Sequence, residues 1–244
     1  MKKSLFHCLS AAALLAVPLS AAHANLILAG EKQFGGTGLG TVNTILTISS
    51  SGSATTETGC VTFGGATGSA FLANGMCTGS NGDVKTGASQ TQTRTLLETG
   101  VTSAANFGIV FNAAEPGGDA ITLNDLTVSF FSPAGLLLYQ ASTVPGVNGE
   151  PFLFPATNTG TGNAGFLFVL DAGQQSAATS AGVFLNTANV IGLSASLSQA
   201  TGGNETFFVA NTGGLAVVPE PSTYALMAAG LAGIFGFARR RRQA

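Results

Sequence analysis

Charged residues are scarce in this chain of 244 residues, because Asp, Glu, Lys and Arg together make up 8%, against about 25% in an average soluble domain. A formal net charge of −2 offers no basic surface for phosphate contacts, so nucleic acid is excluded as a partner. The chain also lacks the low hydrophobicity of charge-rich disorder, since 45% of its residues are apolar. We therefore expect a folded protein that binds no nucleic acid.

Histidine is nearly absent as well. His7 and His23 are the two histidines of the chain, and both precede residue 25. Ser-His-Asp and Cys-His catalytic arrangements need a histidine, and so do histidine-based zinc sites. The sequence therefore predicts a non-enzymatic protein without a cofactor, with a carboxylate-dependent hydrolase as the less favoured alternative.

One acidic stretch remains as a candidate site. Glu115, Asp119, Asn124 and Asp125 supply oxygen atoms within eleven residues. Two carboxylates facing a sugar are what glycoside hydrolysis requires, and the same oxygen atoms suit Ca²⁺. Their order does not follow the EF-hand loop, so calcium binding is a hypothesis beside that of a solvated acidic loop.

The N-terminus has the three parts of a secretory signal peptide. Two lysines precede an apolar stretch over residues 5–19, and Ala22 and Ala24 form a small-x-small cleavage site. An apolar stretch of about 15 residues is short for a transmembrane anchor, which needs about 20. We predict a signal peptide over residues 1–24, export through the Sec translocon and cleavage after Ala24.

The C-terminus has a second tripartite pattern. It begins with Val218-Pro219-Glu220-Pro221-Ser222 and ends with Arg239, Arg240, Arg241 and Arg242. The uncharged residues 222–238 between them are just long enough for a transmembrane helix. By the positive-inside rule the arginines stay in the cytoplasm, which places residues 25–217 on the far side of the inner membrane, in the periplasm.

This pattern resembles the PEP-CTERM sorting signal of Gram-negative bacteria, with Tyr224 where many members carry Trp. The resemblance covers residues 218–244. It implies recognition by an exosortase, processing near Pro219-Glu220-Pro221, and export to the cell surface or the exopolysaccharide matrix. We expect a structural or interaction role there; the alternative is an extracellular glycan- or calcium-binding module.

Residues 25–217 read as a secreted β domain with ten acidic and three basic residues, a net charge of −7. Short alternating or β-branched segments separated by Gly, Pro, Asn and Ser predict an all-β sandwich of the jelly-roll or Ig-like type. The segments are 41–48, 106–111, 121–130, 136–139, 166–170, 190–197 and 206–209. We expect a hairpin turn at 132–135, a helix over 171–181 capped by Asp171, and exposed loops or edges at 50–60 and 79–93.

The cysteines and phenylalanines of this domain predict a disulfide and an apolar core. Cys60 and Cys77 are its two cysteines, and in an oxidising compartment they most simply form a disulfide. No histidine or Cys-x-x-Cys supports the metal or redox alternative. Paired phenylalanines in the predicted strands indicate a core, with a Phe-lined ligand cavity as the alternative. They are Phe130, Phe131, Phe152, Phe154, Phe166, Phe168, Phe207 and Phe208.

Overall fold

The computed structural model of the protein describes residues 25–33, 43–50, 54–87, 89–113, 119–143, 151–154 and 164–213. The predicted signal peptide and sorting segment lie outside these ranges. The described residues fold mainly into β-strands, which confirms the all-β prediction.

The strands are β1 Leu26–Gln33, β2 Asn43–Ile48, β3 Thr56–Val61, β4 Thr67–Gly68, β5 Ala70–Phe71, β6 Cys77–Thr78, β7 Arg94–Thr95, β8 Phe107–Asn112, β9 Ile121–Phe131, β10 Leu137–Ser142, β11 Phe152–Phe154, β12 Ala164–Leu170, β13 Val190–Ser198 and β14 Glu205–Asn211. The helices are α1 Leu96–Thr99 and α2 Ala172–Ser180, and short 3₁₀ turns span Phe63–Gly65, Ala104–Asn106 and Val183–Leu185. Each of the seven predicted strand segments overlaps an observed strand.

The strands form two large sheets. The five-stranded sheet has the order β1-β12-β8-β14-β2, and the seven-stranded sheet has the path β10-β9-β13-β3-β4, with β11 beside β9 and β7 beside β13. Neighbouring strands in both sheets are antiparallel, and β5 and β6 form a small separate ribbon. The chain repeatedly crosses between the large sheets, as at β8 to β9 and from β12 through β13 to β14.

The two large sheets face each other across one apolar core. Phe107 of β8 lies 5.0 Å from Phe130 of β9, and Phe111 of β8 lies 5.3 Å from Phe154 of β11, between ring centroids. Seven of the eight phenylalanines predicted for the core are buried, and the half-buried Phe166 packs 4.1 Å from Phe154. Because each buried large apolar side chain contributes about 1.5–3 kcal/mol, these rings supply much of the folding energy. Six of the eight belong to the main core or pack against it, as the simpler prediction expected.

Two of those phenylalanines are buried outside the main core. Phe208 packs with Val110 and Leu167 in a second, smaller cluster. Phe131 is fully buried, and Phe63 lies 6.3 Å from it between ring centroids. Strand alternation explains both positions, because Phe130-Phe131 and Phe207-Phe208 are neighbours whose side chains point to opposite faces of a sheet.

The helix and turn predictions are confirmed in detail. Helix α2 begins after Asp171, whose Oδ1 accepts the Gln174 N–H at 2.7 Å. The β9–β10 turn closes with the Ser132 N–H donating to the Leu136 carbonyl oxygen at 2.8 Å. Gly135 takes φ 83° there, a left-handed conformation that glycine adopts without strain.

Residues 50–60 differ from the exposed loop or edge that we expected. Residues 56–60 belong to β3, which pairs with β13 along its length, and Glu57 and Cys60 are fully buried. The strand was missed because its segment is polar and includes a glycine, which depresses β-propensity. Pairing with a distant strand decides the conformation instead.

Candidate functional site

The predicted sorting and cleavage residues cannot be placed in the fold. Ala22, Ala24, residues 218–222 and Arg239 to Arg242 lie outside the described residues. Among the helices that the structure does describe, none is long and apolar enough to cross a membrane. The predicted span over residues 222–238 also lies outside those ranges, so it stays a prediction.

The predicted disulfide is present. Cys60 on β3 is bonded to Cys77 on β6, with 5.9 Å between their Cα atoms. The loop that this bond closes includes Phe63, whose ring packs on Phe131, and Gly75, whose carbonyl oxygen accepts the Thr62 hydroxyl at 2.6 Å. The loop between Cys60 and Cys77 therefore packs over Phe131 on the outer side of the seven-stranded sheet, and we call this loop the cover.

Next to this cover, four neighbouring strands of the seven-stranded sheet turn hydroxyl, amide and carboxylate groups away from the core, and two of them, Thr127 and Ser129, are buried. We call these residues the polar face: Thr56, Thr58, Thr122, Asp125, Thr127, Ser129, Gln140, Ser142, Ser194, Ser196 and Ser198. Along β9 and β13 they alternate with core residues such as Leu126, Val128 and Leu193. Alternation along the strands therefore turns the polar residues away from the core.

The strand register arranges the polar face in rows. Ser196 of β13 pairs with Thr58 of β3 on one side and with Asp125 of β9 on the other. The next row places Ser198 between Thr56 and Thr122. Adjacent strands are about 4.8 Å apart, so each row presents polar groups at that repeat.

Asp125 is the one carboxylate of the polar face. Its two oxygens lie 3.2 and 3.4 Å from the Thr127 hydroxyl, which also lies 3.0 Å from the Ser142 hydroxyl. Burial raises the pKa of the Asp125 carboxyl, and the hydrogen bond from Thr127 lowers it by a smaller amount. The polar face can therefore both donate and accept hydrogen bonds around a half-buried acid.

The structure describes three of the four candidate calcium or catalytic residues. Asp119 is exposed, Asn124 accepts a hydrogen bond from the Ser198 hydroxyl at 3.2 Å, and Asp125 lies in the polar face. Glu115 lies outside the described residues. Within the described part of the chain, no group of three His, Cys, Asp or Glu side chains is arranged to hold a metal ion.

Neither the polar face nor the buried Glu57 side chain was predicted from the sequence. The rows join residues from distant parts of the chain, although the Ser-x-Ser-x-Ser alternation over 194–198 was a visible local signal. Glu57 is fully buried, and its Oε1 accepts the Ser50 N–H at 2.6 Å. Nothing in the local pattern distinguishes Glu57 from a surface acid.

Comparison with known proteins bears on the C-terminus alone. Residues 217–242 match the family model described as the PEP-CTERM protein-sorting motif. No curated protein and no solved structure matches the chain. The C-terminal pattern read from the sequence is thereby confirmed: this chain carries a PEP-CTERM protein-sorting motif, which implies a secreted, membrane-processed surface protein handled by an exosortase.

Proposed function

We propose that the protein is an exported component of the cell surface or the exopolysaccharide matrix, with a structural or interaction role and no catalytic activity. The Sec translocon exports it, signal peptidase cleaves after Ala24, and residues 222–238 hold the precursor in the inner membrane. An exosortase then processes it near Pro219-Glu220-Pro221. The observation that carries this proposal is the sorting motif at residues 217–242 behind a disulfide-bonded β domain.

We infer further that the domain is a jelly-roll sandwich. Its chain alternates between two antiparallel sheets that share a core, and the central strands of each sheet come from distant parts of the sequence. Greek-key crossing of this kind is what builds the two sheets of a jelly roll. Such a domain offers flat sheet faces to the medium in which it is released.

A second candidate function, glycan binding, is favoured by the polar face. A sugar presents many hydroxyl groups that donate and accept hydrogen bonds, and the polar face offers Ser, Thr, Gln and Asp groups with the same capacity. The net charge of −7 on residues 25–217 leaves neutral hydroxyls and amides as the main recognition groups. The proposed ligand is therefore a neutral exopolysaccharide.

Processing is tested by mass spectrometry of the protein recovered from cells and medium. We expect the mature protein to lack Arg239 to Arg242, and a variant with Pro219, Glu220 and Pro221 changed to alanine to keep them and remain in the membrane. Gln243→Ala, which lies beyond the matched residues, is the control and should be processed normally. Recovery of the wild type with its arginines attached would refute sorting.

Glycan binding is tested with the host's own exopolysaccharide in a co-sedimentation assay. Thr58→Ala and Ser196→Ala each remove a part-exposed hydroxyl from the polar face, so we expect each to lower the bound fraction. Thr187→Ala removes an exposed hydroxyl on another surface and should bind like the wild type. Equal binding by all these proteins would reject the polar face as a glycan site and leave the structural role.

Calcium binding stays a prediction for Glu115, Asp119 and Asp125. Calorimetry of the protein with millimolar calcium tests it directly. Heat of binding that disappears with Asp119→Asn would support the site, and no heat would remove it. A hydrolase would lose turnover with Glu115→Gln, once turnover on a glycan had been detected.

A further inference from the structure

The first described residue, Asn25, lies against the cap of helix α2. Its backbone N–H donates to Asp171 Oδ2 at 3.4 Å, and the Asp171 N–H donates to the Asn25 carbonyl oxygen at 3.4 Å. Asn25 is 9% exposed. The contact is held in place because Leu26, the next residue, pairs with Leu170, the residue before Asp171.

Asp171 binds two backbone amides in this arrangement. Its Oδ1 accepts the Gln174 N–H at 2.7 Å, which caps α2, and its Oδ2 faces Asn25. Both donors are neutral amide N–H groups. A half-buried carboxylate with neutral partners gains more from a cation, because charge-assisted hydrogen bonds are roughly twice as strong as neutral ones.

Several polar atoms around this contact lack a hydrogen-bond partner within the described part of the chain. They are Asn25 Oδ1, Tyr139 Oη, and Oε1 and Nε2 of Gln174, all buried. Gln174 is 1% exposed and bonded to Asp171 through its backbone, while the Asn25 backbone bridges to Ser142, three residues after Tyr139. Burial first, and the negative charge of Asp171 second, raise the pKa of the Tyr139 hydroxyl, which places that hydroxyl within the field of the carboxylate.

Buried acceptors without donors are costly, at about 1–3 kcal/mol each. The Gln174 Nε2 atom is a donor and the Tyr139 hydroxyl can donate or accept, whereas Asn25 Oδ1 and Gln174 Oε1 are acceptors. The single N–H of Asn25 within a peptide bond cannot satisfy them. A positively charged group with several N–H donors at the position of the Asn25 nitrogen would give the Asp171 carboxylate a charged partner and bring further donors to this neighbourhood.

We propose that this neighbourhood is a binding site for the α-ammonium group that signal-peptide cleavage creates at Asn25, with Asp171 as its counter-ion. Hydrolysis breaks the bond between the Ala24 carbonyl carbon and the Asn25 nitrogen, and water supplies the hydroxyl to Ala24 and a hydrogen to the nitrogen. The new amine takes up a proton below its ordinary pKa of about 7.7–8.0. One neutral N–H thereby becomes a cation with three donors, and removal of the signal peptide strengthens the mature domain.

This inference rests on the cleavage site in the proposed function, so its test must report the mature N-terminus. The full chain is exported in a Gram-negative host, and N-terminal sequencing establishes where it begins. One alanine inserted between Ala24 and Asn25 provides the matched control. Cleavage stays after Ala24 in that variant, because His23 would occupy the small-residue position of the shifted site. Its ammonium group is then displaced by one residue, about 3.8 Å along the chain.

The second change is Asp171→Asn, which removes the charge and keeps a good helix N-cap. Pulse proteolysis in urea measures the folding equilibrium constant of the wild type, the two single variants and the double variant. We expect each single variant to lower that folding equilibrium constant about five- to tenfold, because each change breaks a partly buried ion pair. The double variant should be little worse than either one, because both changes break the same pair.

Reactivity of the α-amine gives a second readout that does not depend on stability. Brief reductive methylation followed by mass spectrometry compares this amine with the Lys85 side chain in the same molecule. We expect the wild-type α-amine to react at least tenfold more slowly than that of either variant. The insertion variant leaves Asp171 intact, so the test holds even where Asp171→Asn fails to fold.

The outcomes separate the two proposals. A mature N-terminus elsewhere than Asn25 overturns both the predicted cleavage site and this inference. A start at Asn25 with additive effects of the two changes and an unprotected α-amine overturns the ammonium site alone. C-terminal sorting is measured separately and stands or falls without it.

Discussion

The disulfide between Cys60 and Cys77 should be a major source of stability. It closes a loop with a sequence separation of 17 residues. In the chain-entropy model, a cross-link of this length removes about 3 kcal/mol of freedom from the unfolded state. For a domain of this size, 1 kcal/mol shifts the Tm by about 2–4 °C, so reduction should lower the Tm by about 6–12 °C.

The assay is thermal unfolding of the exported protein with and without dithiothreitol. The double variant Cys60→Ala, Cys77→Ala should melt at or below the Tm of the reduced wild type, because it also loses the packing of the buried Cys60 side chain. Dithiothreitol should not change the Tm of that variant, which controls for other effects of the reductant. A wild-type Tm that is unchanged after verified reduction would refute the reasoning.

A local consequence follows from the cover that the disulfide holds. Phe131 is fully buried on the outside of the sheet, and Phe63 of the closed loop packs against it. Hydrogen exchange should therefore show that residues 62–78 lose protection first when the disulfide is reduced, while β9 and β13 stay protected. Uniform loss of protection over the domain would mean that the loop is not a separate cover.

Three further predictions concern single residues. Burial raises the pKa of Asp125, so the folded protein binds a proton at this carboxyl more tightly than the unfolded chain does. The free energy of unfolding therefore falls as the pH rises above the ordinary value of 3.8 and through the raised pKa. Asp125→Asn should raise the Tm at pH 7 and have little effect on it at pH 3. Gly135→Ala should lower the free energy of unfolding in urea by about 2–4 kcal/mol, because φ is +83° and the added Cβ would lie 2.8 Å from the Phe63 ring. Gly30→Ala is the control: φ is +93° there but the Cβ would meet open space, so backbone strain alone should cost about 1–2 kcal/mol. Phe111→Ala removes a ring whose centroid lies 4.8 Å from that of Phe207 and should cost about 3–5 kcal/mol by the same measurement, with a loss near zero arguing against the aromatic core.

The sequence pattern predicted the secondary structure correctly where the residues of a segment themselves determine whether it forms a strand or a helix. The alternation of residues 121–130 predicted β9 almost to its ends, and Asp171 before a Gln- and Ala-rich run predicted α2 with its cap. Both are short-range effects of β-propensity and capping. Strand β3 was missed because a polar segment with Gly59 becomes a strand only by pairing with β13.

The candidate sites likewise include one that local sequence predicts and others that depend on contacts between distant residues. The sorting motif is linear, so composition and spacing were enough to identify it. The polar face could not be predicted, because it depends on Ser196 lying between Thr58 and Asp125, and strand order is a property of the whole chain. The contact between Asn25 and Asp171 is likewise non-local, although each residue was singled out separately, one as the residue after a cleavage site and the other as a helix cap.

Strand β1 begins and strand β14 ends at the same end of the five-stranded sheet, and in the sequence the predicted signal peptide precedes β1 while the sorting motif follows β14. Leu26 pairs with Leu170, and in the adjacent row Val169 pairs with Gly108, which pairs with Ala210 near the end of β14. The intervening strand spacings are three steps of about 4.8 Å, so the start of β1 and the end of β14 lie within about 15 Å of each other.

A precursor held by both segments would therefore turn this end of the domain toward the membrane. The opposite end of that sheet, where Ile48 pairs with Glu205, would point away from the membrane. The contact between Phe107 and Phe130 places the Phe130 end of the seven-stranded sheet beside the membrane end of the five-stranded sheet. The polar face therefore extends along the side of the domain, from Ser129 near the membrane end to Thr122 farther from it. The part-exposed residues of this face, such as Thr122 and Ser196, would stay open to polysaccharide before and after release, whereas the proposed ammonium site at Asn25 would lie at the membrane end.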